Sequence, residues 1–121
     1  MKKLLIVAAF IEALTGLLLF VNPRIVVQFL LGAQITGVGA LMSRVAGISL
    51  IALGVACFPA SNLNAFYGML TYNALVIVFL IFIGIRYEAG ILLWPAVVVH
   101  SVLSLLLVWA GRTERKPSHF N

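Results

Sequence analysis

The stretch Leu4–Val21, LLIVAAFIEALTGLLLFV, decides the fold. It runs without a break, carries a single charge at Glu12, and is close to the ~20 residues that a helix needs to cross ~30 Å of hydrocarbon. Asn22-Pro23 closes it. Three further runs have the same character. One spans about 38–58 and stops at Pro59-Ala60-Ser61-Asn62. Another spans about 65–85 and ends at Arg86-Tyr87-Glu88, and the last spans about 90–110 and ends at Gly111-Arg112. Transmembrane barrels need at least eight short alternating segments, and these runs are long and continuous. The sequence therefore predicts an all-α fold, a transmembrane antiparallel four-helix bundle.

Composition supports this reading. Hydrophobic residues make up 64% of the 121 residues, charged residues 9%, and the mean hydropathy is +1.20. Soluble domains carry about 25% charged residues, so this chain cannot cover a water-facing surface and lipid must be its solvent. Its length allows one domain: residues 1–111 as the four-helix unit and 112–121 as a basic cytoplasmic tail, expected to be disordered. The net charge of +5 sits at chain ends and loops, where it reads as a topology signal and a contact with anionic lipid rather than with nucleic acid. Met1-Lys2-Lys3 before an apolar run looks like a signal peptide. Glu12 interrupts that run and no small-x-small cleavage site follows, so a retained first helix is expected.

Between the first two spans, Asn22 to Gly37 is too long for a tight turn and too apolar for a solvated loop. Ile25 to Leu31 can form two helical turns lying in the membrane interface, with Pro23 near their start and Gly32 as their stop. The other loops are short, which makes sequential helices antiparallel neighbours. With the N-terminus inside, the cytoplasmic side holds Lys2, Lys3, Arg112, Arg115 and Lys116, against Arg24 and Arg86 opposite. That imbalance places both termini in the cytoplasm. Tyr87 and Trp94 would mark the outer interface and Trp109 the inner one.

Ionisable groups within a membrane cost about 2.5 to 3.5 kcal/mol each, so each needs a reason. Glu12, Arg44 and His100 lie inside spans, and the remaining long span contributes the neutral Asn73. Counting from the outer helix ends at about 1.5 Å per residue gives depths of roughly 13 Å for Glu12, 9 Å for Arg44, 15 Å for His100 and 18 Å for Asn73. The four are expected to converge in one polar layer. Glu12 and Arg44 form the natural pair, because a bidentate contact largely offsets both desolvation penalties. The layer then has two readings. It fixes helix register, or it lines a small cavity that binds a ligand head group or relays protons, a reading that rests on His100 because an imidazole's protonation can be tuned through physiological pH.

Gly39, Ser43 and Gly47 fall at i, i+4 and i+8 on the second span, with Ala40, Ala46 and Gly54 close by. This is a small-residue ridge that admits a close helix contact within the bundle or with a second copy. Pro95 sits one turn into the fourth span, where a missing donor costs little. Tyr67 and Tyr72 read as a polar inner rim. Cys57 is the sole cysteine, which rules out an intramolecular disulfide and a cysteine metal cluster. No glycine-rich phosphate loop, GxSxG elbow or HExxH occurs, and no set of side chains reaches four metal ligands. His119 is in the tail, so bis-histidine haem ligation has only His100 within the membrane. No metal or cofactor is expected.

The helix with a central acid is followed by "VNPRIVVQFLLGA", then by Arg-Val-Ala-Gly in "SRVAGISLIALGVA", two more helices and a basic tail. This pattern resembles the DoxX-like group of small bacterial four-helix membrane proteins over nearly the whole chain, with Arg44 and Gly47 at the matching positions. The resemblance implies a bacterial inner-membrane location, and its named members imply sulfur oxidation and quinone-linked electron transfer. From the residues themselves, the first expectation is a non-catalytic accessory or scaffold subunit of a membrane assembly, either homo-oligomeric or part of a larger complex. The alternatives are binding or transport of a small molecule at the Glu/Arg/His layer, and a component of a quinone-linked oxidoreductase.

Overall fold

A computed structural model of the chain describes residues 2–58 and 62–115. All regular structure among them is helical: α1 (Lys2–Val21), α2 (Pro23–Leu31), α3 (Val38–Cys57), α4 (Leu63–Arg86) and α5 (Leu93–Glu114). The four long helices are each long and apolar enough to cross a membrane, and the protein is a multi-pass membrane protein. Most of their large apolar side chains point outward, as a lipid solvent permits. Phe10, Val38, Ile85 and Trp109 are each at least 66% exposed.

The short α2 begins and ends where its sequence dictates. Asn22 accepts from the Ile25 N–H at 3.4 Å, Pro23 occupies the first turn, and Gly32 closes the helix in the left-handed region at φ 69°. Pro23 and Val27 are buried while Arg24, Ile25, Gln28 and Phe29 are exposed, so one edge of α2 packs on the bundle.

The bundle is built as two antiparallel pairs, α1 with α3 and α4 with α5, which meet mainly through α1; α3 and α4 touch little. Glycines set the approach within the first pair. A Cβ added to Gly47 would stand 2.6 Å from the Gly16 carbonyl oxygen, and one on Gly54 would stand 2.7 Å from that of Ala9. Backbone therefore lies directly on backbone, a contact any side chain would wedge apart. The second pair closes more loosely, Gly84 lying under Trp94 and Gly111 under Phe66. Leu5, Ala8, Ala9, Cys57, Phe66, Met69, Leu103 and Leu107 form an apolar core toward the end of the bundle where α1 begins and α5 ends.

α5 starts at Leu93 rather than about residue 90, and the reason is α2. The Gly90 N–H donates to Leu30 O at 3.2 Å and the Leu92 N–H to Phe29 O at 2.9 Å. The last carbonyls of α2 thus hold the connection as a loop until Leu92. Pro95 then falls in the first turn of α5, where its missing donor costs nothing. At its far end α5 runs to Glu114, so Arg112 to Glu114 continue the helix instead of opening the tail. The expected stop at Pro59 to Ser61, and the tail from residue 116 onward, lie outside the described residues.

Candidate functional site

Three of the four expected polar residues meet near the middle of the bundle. Glu12 of α1 and Asn73 of α4 are 1% and 0% exposed. His100 of α5 is half-buried, its Nδ1 2.7 Å from Asn73 Oδ1 and 3.7 Å from Glu12 Oε1. Asn73 is held by its own helix: its side-chain amide donates to Met69 O at 2.9 Å. That bond orients the amide so that Oδ1 faces the imidazole. An amide oxygen can only accept, so His100 Nδ1 carries the proton in this contact.

The fourth member was not among the site residues expected from sequence. Tyr72, which reads as inner rim, lies half-buried beside the cluster, its hydroxyl close enough to interact with the Glu12 carboxyl. Its ring meets the His100 imidazole edge-to-face, with centroids 6.1 Å apart. The missed signal is adjacency. Tyr72 and Asn73 are neighbours about 100° apart on one helix, so a residue facing His100 and one facing Glu12 can stand side by side where two other helices converge.

Arg44 does not join them. It is exposed and borders a cleft of about 370 Å³ with Val21, Asn22, Pro23, Arg24 and Ala40. The Gly16–Gly47 contact explains the displacement. Gly47 lies against Gly16, Leu19 and Phe20, so Arg44, one turn further out on α3, faces the end of α1 rather than its centre. Among the described residues, the basic side chain within 4.0 Å of Glu12 is His100, whose imidazole would pair with it as a charge only when protonated. The expected Glu12–Arg44 pair is therefore replaced by a Glu12–His100 pair across a different helix interface.

The small-residue ridge is also corrected. Gly47 is at the α1–α3 contact, but a Cβ on Gly39 would meet nothing nearer than Ile35 at 3.5 Å, and Ser43 bonds Gly39 O of its own helix at 2.9 Å. The contact runs instead through Gly47 and Gly54, facing Gly16 and Ala9. The close backbone packing therefore falls at i, i+7 on α3 and not at the i, i+4 spacing of the expected ridge.

Glu12 Oε1 has no hydrogen-bond partner, and Ser104 Oγ, one turn along α5 from His100, has none either. A buried polar atom left unpaired costs about 1–3 kcal/mol. Within three candidate ligating groups or more of His, Cys, Asp and Glu, no cluster able to hold a metal occurs among the described residues. The arrangement can bind a polar group, or hand a proton between a carboxyl and an imidazole. No family model, curated protein or solved structure matches the chain.

Proposed function

We propose that this chain is a small, non-catalytic polytopic protein of the bacterial inner membrane, with both termini cytoplasmic, that holds the polar end of a membrane-soluble small molecule at the Glu12–Tyr72–Asn73–His100 cluster. One observation carries this reading: Glu12 Oε1 is buried beside His100 with no hydrogen-bond partner. A buried carboxyl oxygen calls for a donor. A hydroxyl-bearing head group supplies one, and the quinol form of a quinone, the ligand class that the DoxX-like resemblance implies, belongs to that class. The ligand's apolar remainder would lie among the lipid-facing side chains of the bundle.

The test is extraction of wild-type and Glu12→Leu protein purified in mild detergent, followed by mass spectrometry of the released small molecules. The wild type should retain a hydroxyl-bearing molecule near one per chain, and Glu12→Leu should lose it. Identical complements in the two would overturn the proposal. A second reading, the accessory subunit, is favoured by α3, which packs on α1 and scarcely on α4 and so leaves most of its surface uncovered by this chain. A defined oligomer or partner in mild detergent supports that role, and a monomer at every concentration counts against it.

A further inference from the structure

We infer that the cleft where α1, α2 and α3 meet is a phosphate-binding site held by Arg24 and Arg44, separate from the Glu12 cluster. The two cations line one cleft of about 370 Å³, together with Val21, Asn22, Pro23 and Ala40. Among the described residues neither guanidinium pairs with a carboxylate. Acids to pair them with are scarce: the chain has three, of which Glu12 is committed to the buried cluster, Glu114 lies at the opposite end of the molecule, and Glu88, at the same end, has its backbone beside Gly32 past the far end of α2 and is not among the residues lining the cleft. Two cations sharing a cleft without a counter-charge repel one another, and an anion between them removes that repulsion.

Position selects the anion. The Gly16–Gly47 contact fixes Arg44 within two turns of the start of α3, and Arg24 stands in the first turn of α2. Long arginine stems let both guanidinium groups reach head-group level from there. A planar fork of donors matches a phosphate oxygen pair, and the positive end of α2 adds to the field. The phosphate can be carried by an anionic phospholipid or be free in solution.

Full-length protein in phosphatidylcholine nanodiscs, with and without phosphatidylglycerol, distinguishes the sources. By native mass spectrometry, the wild type should retain phosphatidylglycerol about tenfold over phosphatidylcholine, and Arg24→Gln/Arg44→Gln should lose that preference. Arg86→Gln removes a cation from the same end of the molecule and should keep it. Ala40→Leu fills the cleft while leaving both cations, and should reproduce the loss even if the double variant folds poorly. In lipid lacking phosphatidylglycerol, a rise in Tm with inorganic phosphate, absent with chloride at equal ionic strength, would identify free phosphate as a ligand. Equal retention by wild type and Ala40→Leu, an equal loss in Arg86→Gln, or no response to either phosphate source overturns the proposal.

Discussion

Asn73 carries no charge, yet it decides what His100 can do. Its amide donates to Met69 O, which leaves its oxygen to accept from His100 Nδ1. The ¹⁵N spectrum of the labelled protein should therefore show His100 protonated at Nδ1, and Asn73→Leu should abolish that preference. The same substitution leaves a buried imidazole N–H unpaired, and should destabilise the protein by about 1–3 kcal/mol in a detergent unfolding titration. A glycine pair gives a second residue-scale test. Gly47→Ala drives a methyl into the Gly16 carbonyl and should cost about 1–3 kcal/mol, read as a lower Tm. Gly39→Ala meets only an ordinary contact with Ile35 and should lose nothing. The pair separates the ridge seen in the packing from the one that spacing alone suggests.

At the scale of elements, α2 is held at both ends by features that can be removed one at a time. A Cβ on Gly90 would collide with the Phe29 carbonyl. Gly90→Ala should thus break the two backbone bonds from Gly90 and Leu92 to α2, and amide exchange at Leu92 should accelerate while that of α4 stays slow. The existence and order of every helix, and the approximate ends of all but α5, were legible in the sequence, because hydrocarbon thickness and the Asn-Pro and Gly stops act locally. The start of α5 was not, since it depends on carbonyls of α2 distant in the chain. Arg44 was misplaced for a related reason. Depth along a helix axis can be counted from sequence, but the helix opposite which a residue stands depends on where backbones touch. Gly16, the partner that sets this register, gives no sign of its role within an apolar run. Glu12, Asn73 and His100 were legible as cost: each is a polar group in a span, and each requires a partner.

For the molecule as a whole, the antiparallel arrangement puts Lys2, Lys3, Arg112 and Arg115 at one end and Arg24 and Arg86 at the other. If the first set faces the cytoplasm, a cysteine at Lys3 or Arg115 in a Cys57→Ala background should resist a membrane-impermeant thiol reagent in whole cells. A cysteine at Arg86 should react. The reverse pattern would invert the proposed orientation without altering the fold.

The join between the two pairs also has a consequence in time. Glu12 is synthesised near the start of the chain, whereas Tyr72 and Asn73 emerge only with the third span and His100 only with the fourth. During that interval the acid has no cluster to enter, while the glycine contact that docks α3 on α1 can already form. The order of synthesis thus lets α1 and α3 dock before the acid has its partners, and the second pair supplies them last.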